Sequence, residues 1–477
     1  MLCYLNKRAA HWPGKVFPMI HKYTMNGFYI VLDVHSGSVS VVDQAAYRLL
    51  DYLSAPMEPA CPQELLDKLS GEFPKEDLIS AYEELYALYD QGLLFSEDDY
   101  AQFADKMVQS PVKAMCLHIA HDCNLRCKYC FASTGEYGGG RKLMTFETGR
   151  RAIDFLIEHS GSRRNLELDF FGGEPLMNFE VVKQIVAYAR EQEKLHGKNF
   201  RFTITTNGML LTEDKMDFIN QEMSNVVLSL DGRKEINDFF RPCVNGKGSY
   251  DIIVPKFQEL VKRRGGDQYY VRGTFTHKNL DFADDVFHFY DDLGFDQISI
   301  EPVVTDESKD YGLTMEDIPA IATEYERLAK KLIQYRKEGK FFNFFHFMID
   351  LDQGPCAIKR LRGCGCGNEY VAITPDGDIY PCHQFVGMEE WKMGSLYDGS
   401  FDLQKKEYFA HANIYGKEDC QKCWAKFYCS GGCNANNLQY AGSVLKSYQL
   451  GCELEKKRLE CAIMIKAALA AAEEEAE

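Results

Sequence analysis

His121-Asp122-Cys123-Asn124-Leu125-Arg126-Cys127-Lys128-Tyr129-Cys130 is the stretch on which the reading of this chain turns. Its spacing, C-x3-C-x2-C, brings three thiolates within reach of one iron–sulfur cube, and such a cube normally takes four. One iron is then left without a protein ligand, free to bind a substrate or cofactor. Zinc sites pair C-x2-C with a second pair or with histidines, which is a different layout.

Working outward, the trio follows a candidate strand at 115–121, the first of six. The others are expected at 166–171, 201–206, 226–230, 269–275 and 297–303, and amphipathic helical stretches lie between them at 146–159, 179–195 and 251–264. Repeated β-α units imply a parallel sheet with right-handed crossovers. Six units fall short of the eight of a closed barrel, so a partial barrel with a wide lateral opening is expected. The trio stands at the C-terminal end of the first strand, on the edge where strand-barrel enzymes carry out catalysis. The second strand runs into Gly172-Gly173-Glu174-Pro175, whose glycines allow a ligand close to the backbone and whose carboxylate suits an ammonium group. Ser229 and Asp231 end the fourth strand on one face and suit ribose hydroxyls.

The chain has 477 residues, more than one hydrophobic core usually serves, so several domains are expected. A net charge of −17 argues against general nucleic-acid binding, and no apolar run is long enough to span a bilayer. No export signal is visible at the N-terminus, which gives a cytoplasmic reading. In that compartment 17 cysteines point to metal rather than disulfides, and they cluster near 125 and between Cys356 and Cys452.

Ahead of the barrel, residues 20–95 read as a small unit. Strands are expected at 29–33 and 38–42 around a Ser36-Gly37 turn, followed by a helix capped by Asp43. Two more helices near 62–69 and 75–91 follow, with Leu93-Leu94-Phe95 as a last strand. The pattern is winged-helix-like, with a simple packing appendage as the other reading. Residues 314–350 read as a helical bridge ending in the aromatic cluster 341–345, taken as core.

Cys123, Cys127, Tyr129 and Cys130 resemble the radical S-adenosylmethionine (SAM) signature, and Gly172-Gly173-Glu174-Pro175 resembles that superfamily's methionine-binding motif. The resemblance implies a (β/α)6 TIM-like barrel whose open iron chelates the methionine part of SAM. It also implies reductive cleavage to methionine and a 5′-deoxyadenosyl radical that abstracts substrate hydrogen. Thr205, Thr206, Asn207 and Arg272 are further cofactor contacts on this reading, beside Tyr129, Ser229 and Asp231.

Cys420-x2-Cys423-x5-Cys429-x3-Cys433 and Cys452, with Cys364, Cys366, Gly377 and Cys382 upstream, resemble the SPASM domain; a zinc ribbon is the alternative. The resemblance implies two auxiliary [4Fe–4S] clusters, three clusters in all. Cys420, Cys423, Cys429 and Cys452 would hold the second auxiliary cluster, and Cys364, Cys382 and Cys433 the first. The first would then keep an iron open to a substrate thiolate, unless Cys356 or Cys366 fills it.

His21-Lys22-Tyr23, Asn26-Gly27-Phe28, Val31-Leu32-Asp33 and Ser36-Gly37 resemble the maturases of SCIFF peptides, the thioether-forming ranthipeptide synthases. The expected organisation is an extension at 1–18 read as non-native, with Met19 as start, and a PqqD-like peptide-recognition element at 19–100. The partial barrel follows at 112–305, the bridge at 306–355, the SPASM domain at 356–455 and a C-terminal helix or tail at 456–477. On this resemblance a cysteine-rich precursor peptide binds through its leader as an added strand along 39–42 and 75–89. A flavodoxin or ferredoxin would supply electrons. The implied reaction joins a peptide cysteine sulfur to a carbon, that of threonine in the family's products, with Glu301 as candidate base. The alternatives are a sulfatase-maturating enzyme forming formylglycine and a non-catalytic zinc-binding protein.

Overall fold

The computed structural model describes residues 18–104, 110–351 and 357–474, so most of the expected 1–18 extension and Cys356 lie outside the described residues. The chain divides into two compact units, Met1–Gln102 and Phe103–Glu477.

In the first unit, β1 (Ile20–Met25), β2 (Phe28–Asp33) and β3 (Val39–Val42) form an antiparallel sheet in the order β1-β2-β3. Sequence reading missed β1. Its signal was the Asn26-Gly27 pair, whose φ values of 52° and 85° make the tight turn that pairs Met25 with Phe28. Asp43 caps α1 (Gln44–Leu49), its carboxylate accepting from Ala46 N at 2.7 Å. Helices α2 (Gln63–Leu69) and α3 (Lys75–Asp90) pack Leu65, Leu66, Leu69, Leu78, Tyr82 and Leu85 onto the buried side of the sheet. The strand expected at 93–95 is irregular backbone instead. Leu94 is buried, and Ser96 N donates to the Asp33 carboxylate at 3.0 Å, so this segment is tied to the end of β2 without a ladder.

The second unit is built on one large sheet. Strands β4 (Ala114–His121), β6 (Asn165–Gly172), β7 (Asn199–Thr206), β8 (Met223–Ser229), β9 (Tyr269–Phe275) and β10 (Gln297–Pro302) run parallel in sequence order; β5 (Lys142–Leu143) pairs antiparallel with β4. Every residue of β4 is buried, as a strand covered on both faces must be. The crossovers carry α4 (Phe146–His159), α5 (Phe179–His196), α6 (Glu213–Glu222), α7 (Lys234–Phe240), α8 (Tyr250–Arg263) and α9 (Phe282–Phe287). Beyond β10, α10 (Ile318–Lys337) leads to β11 (Asn343–Phe344), which lengthens the sheet. Of the aromatic run at 341–345, Phe342 and Phe344 are core, whereas Phe341 and Phe345 are exposed.

After α11 (Ala357–Arg362), β12 (Tyr370–Ile373) joins the opposite edge of the same sheet, parallel to β4 with Tyr370 opposite Ala114 and Ile373 opposite Leu117. The antiparallel strands β13 (Asp378–Tyr380), β14 (Gly394–Ser395) and β15 (Ser400–Phe401) continue from it. Short helices α12 (Leu403–His411), α13 (Glu418–Gln421), α14 (Lys426–Cys429) and α15 (Asn434–Ala441) precede α16 (Gln449–Glu474). The boundary expected between 455 and 456 falls inside α16, because Leu454, Leu459, Cys461, Ile463 and Met464 all stay buried along it. No helix among the described residues is long and apolar enough to cross a membrane.

Candidate functional site

The Cys123–Cys130 loop leaves the end of β4 and is strapped to the segment after α7. Arg126 N donates to Pro242 O at 2.8 Å and Lys128 N to Phe240 O at 2.9 Å. Opposite it, Gly173 N donates to Ala120 O at 2.7 Å and Glu174 N to Asp122 O at 2.9 Å. Both glycines are there for closeness. A Cβ on Gly172, whose φ is 118°, would lie 2.4 Å from Ala120 O, and one on Gly173 would lie 2.2 Å from Asp122 O.

These loops wall a cavity of ≈ 430 Å³ at the C-terminal mouth of the strands. Cys123, Cys127 and Cys130 line it together with Tyr129, Gly172, Gly173 and Glu174; Thr206, Asn207, Ser229, Arg272 and Glu301 line it from the later strands. Burial pushes the Cys123 thiol up to about 12 and Cys127 to about 11, so either gives up its proton readily only to a metal or a cation. Among the described residues no three His, Cys, Asp or Glu side chains close on the small radius of a single metal ion. The loop thiols ring open space instead.

Glu174 is fully buried. Its carboxylate accepts from Leu176 N at 3.0 Å, Thr206 Oγ1 at 2.8 Å and Asn207 N at 2.8 Å, while burial raises its pKa against those bonds. Thr206 thus holds Glu174, and Asn207 reaches back to Asn124 Oδ1 at 2.8 Å, locking β7 to the cysteine loop. Pro175 is buried at the start of the turn behind Glu174 rather than at the wall.

Asp231 is placed differently from its expected ribose role. It is fully buried away from the cavity wall, and its carboxylate accepts the Tyr129 hydroxyl at 2.6 and 2.8 Å. Burial lifts it to about 6, opposed by Arg241 and Tyr129. Arg241, which sequence reading missed, donates to the Tyr129 hydroxyl at 2.8 Å and lines the cavity; its buried Nε has no hydrogen-bond partner among the described residues. Its sequence signal was faint: an arginine in the Phe240–Cys243 segment that pairs with the cysteine loop.

Glu301 does not sit as a base. Against the upward push of burial, His346, Arg272 and Arg458 hold it at about 2, with Arg272 Nη2 at 3.6 Å and His346 Nε2 at 3.5 Å. A general base for neutral pH needs a pKa nearer 7.

The far wall of the cavity comes from the cysteine-rich segment: His383, Gln384, Cys433 and Asn436. Deeper in that segment, Cys420, Cys423, Cys429 and Cys452 all line one cavity of ≈ 80 Å³. Cys366 and Cys382 lie in one buried cluster against which Cys433 packs, and Cys364 stands two residues before Cys366 on the same loop. Lys417, also buried, stands beside cysteines of both groups, donating to Gly431 O at 2.6 Å and Asn434 Oδ1 at 2.9 Å.

The Radical SAM superfamily matches residues 117–286, and the iron–sulfur cluster-binding SPASM domain matches 364–424. The chain carries a radical SAM domain followed by a SPASM domain. Such domains bind SAM and iron–sulfur clusters. This radical SAM–SPASM chain is 25% identical over 336 residues to a cysteine-type anaerobic sulfatase-maturating enzyme of Clostridium novyi, covering 66% of this chain and 86% of that protein. It is 22% identical over 473 residues to the radical SAM cyclopropyl synthase TigE of Paramaledivibacter caminithermalis, covering 90% of this chain and 91% of TigE. Among solved structures, anSMEcpe with bound AdoMet superposes with a TM-score of 0.63 at 20% identity, over 75% of this chain and 99% of that one. Streptococcus suis SuiB bound to precursor peptide SuiA superposes with a TM-score of 0.51 at 15% identity, over 90% of this chain and 97% of that one. The two superpositions bear on the fold.

Proposed function

We propose that this radical SAM–SPASM chain is a peptide maturase that forms thioether cross-links in a ribosomally made, cysteine-rich precursor. The observation that carries this reading is the N-terminal unit. The match to TigE spans 90% of the chain, whereas the match to the sulfatase-maturating enzyme spans 66%, and the unit Met1–Gln102 precedes the radical SAM domain. Its sheet leaves β3 at an edge, the form an added peptide strand requires. SuiB, of similar fold, is described with a precursor peptide.

The residues at the barrel mouth fit a SAM-bound cluster: three half-buried thiols on one cavity, a glycine cradle that no Cβ can enter, and the unpartnered Nε of Arg241. Cys123, Cys127 and Cys130 would hold the cluster. When bound, it and SAM supply methionine and a 5′-deoxyadenosyl radical that takes a hydrogen atom from the peptide. Glu174, with the backbone around Gly172 and Gly173, would orient the ammonium end of SAM, and Ser229, Asn207 and Arg272 would contact the remainder. Asp231 and Arg241 fix the Tyr129 ring and through it the cysteine loop. Cys420, Cys423, Cys429 and Cys452 would hold a second auxiliary cluster, and the Cys364, Cys382 and Cys433 group a first, three clusters in all. Electrons would come from a flavodoxin or ferredoxin. Each bridge removes two hydrogens from the peptide, one as an atom from carbon and one as the thiol proton, and one electron must leave with the new C–S bond.

The test is co-expression with a small cysteine-rich peptide encoded nearby, then mass spectrometry. The expected product has lost two hydrogens per bridge, its bridged cysteine resists alkylation, and a peptide without its leader stays unmodified. Formylglycine formation is the second reading, favoured by the likeness to the Clostridium novyi enzyme. It would appear as a carbonyl that reacts with hydrazide, and its appearance in place of the alkylation-resistant bridge would overturn the first.

A further inference from the structure

Lys417 is a buried cation that plays no part at the barrel mouth. It is 1% exposed and stands at the N-cap of α13. Its backbone carbonyl accepts from Cys420 N at 3.1 Å, which ties its main chain to the group of Cys420, Cys423, Cys429 and Cys452. Its side chain reaches the loop between Cys429 and α15. There Nζ donates to Gly431 O at 2.6 Å and to Asn434 Oδ1 at 2.9 Å, acceptors on either side of Cys433. A Cβ on Gly431 would stand 3.2 Å from Nζ, so the lysine packs against the strip of backbone that parts the two thiol groups.

Both acceptors are neutral. Among the described residues no carboxylate pairs with this ammonium, whereas Arg458 meets Glu455 and Glu301. A charge taken out of water needs a counter-charge beside it. Thiols stand on both sides. Gly431, whose carbonyl Lys417 holds, lines one cavity with Cys420, Cys423, Cys429 and Cys452. It lines a second, of ≈ 250 Å³, with Cys429, Cys433 and Cys452.

We propose that the Lys417 ammonium is the built-in counter-charge of the two thiol groups, and that it sets how readily clusters bound there accept an electron. The inference rests on the reading of these thiols as two auxiliary cluster sites. The step is uptake of one electron from a reduced low-potential donor, with no bond made or broken. A thiolate-bound cube is an anion that gains one further negative charge when reduced. A fixed positive charge in a low-dielectric interior stabilises the reduced form more than the oxidised one, so the potential rises. Because the side chain spans Cys433 and the carbonyl holds Cys420, one charge acts on both sites.

The test uses full-length protein with Cys123, Cys127 and Cys130 changed to alanine, so that the signals come from the auxiliary sites alone. The protein is reconstituted anaerobically and titrated with dithionite and redox mediators under electron paramagnetic resonance. About eight irons per chain are expected for two cubes; fewer, with Lys417 intact, would break the underlying reading of the sites. Lys417→Gln, which keeps an amide donor and drops the charge, should lower the midpoint potential of at least one cluster with iron unchanged. Lys417→Arg should hold the potential near its starting value. Unchanged potentials in Lys417→Gln overturn the proposal. An equal fall in both variants also overturns it, because shape rather than charge would then be the cause. If Lys417→Gln sheds a cluster, its retention in Lys417→Arg supports the charge role, and loss in both variants overturns it by making the side chain a strut.

Discussion

The cysteine loop at the barrel mouth and the Cys420, Cys423, Cys429 and Cys452 group are both thiol sites with polar and charged neighbours, yet they differ in thiol number and in free volume. The first has three thiols on a cavity of ≈ 430 Å³ shared with carboxylates, hydroxyls, amides and two arginines. The second has four thiols on a cavity of ≈ 80 Å³. The first cavity is about five times the volume of the second.

The contrast breaks most cleanly with cysteine variants. Changing Cys123, Cys127 and Cys130 to alanine is expected to remove about four irons per chain and all 5′-deoxyadenosine formation from SAM. Cys429→Ala should remove a similar amount of iron yet leave SAM binding intact; loss of SAM binding in that variant would show that the smaller site is part of the cofactor pocket. Next in size is Gly173→Ala, whose methyl meets Asp122 O at 2.2 Å. Overpacking of this kind costs about 1–3 kcal/mol, and equilibrium dialysis should show SAM affinity falling at least as far as thermal stability does.

An effect of similar size on stability, without loss of the cofactor cradle, is expected from Asp231→Asn, which replaces the charged acceptor of the Tyr129 hydroxyl. Loss of a charge-assisted bond predicts about 1.5–3 kcal/mol, read as a lower unfolding temperature with iron content kept. Smallest is Glu301→Gln. The folded carboxylate sits at about 2, below its ordinary value, so its ion pairs contribute stability above the unfolded pKa and lose it as the pH falls toward 2. The variant should be less stable near neutral pH, with the deficit shrinking on acidification, while the rate profile near neutral pH keeps its shape. Loss of the acid limb of the rate profile, where a base protonates, would restore Glu301 as the base.

Much of this was legible because local pattern and tertiary role agreed. The six strands are period-2 or continuous apolar runs, and 146–159 has the apolar stripe and Thr145 cap of the helix found there. The trio and the Gly172–Pro175 run are contiguous in sequence, so their meeting needed only the adjacency of β4 and β6. What escaped depends on pairings distant in sequence. Arg241 acts through the loop that strand pairing lays beside Leu125, and Asp231 was turned from the pocket by the Tyr129 hydroxyl. Ser229 and Asp231 alternate as a strand would, but β8 ends at Ser229, so the shared face expected of them does not extend that far.

The register of β12 on β4 sets where the cysteine-rich cap stands. Because Tyr370 through Ile373 pair in parallel with Ala114 through Leu117, the cap is woven into the same ladder as the strand that presents the cysteine loop. Swinging the cap aside would mean unzipping that ladder. The wall that the cysteine-rich segment gives the cavity is therefore as firmly placed as the loop it faces.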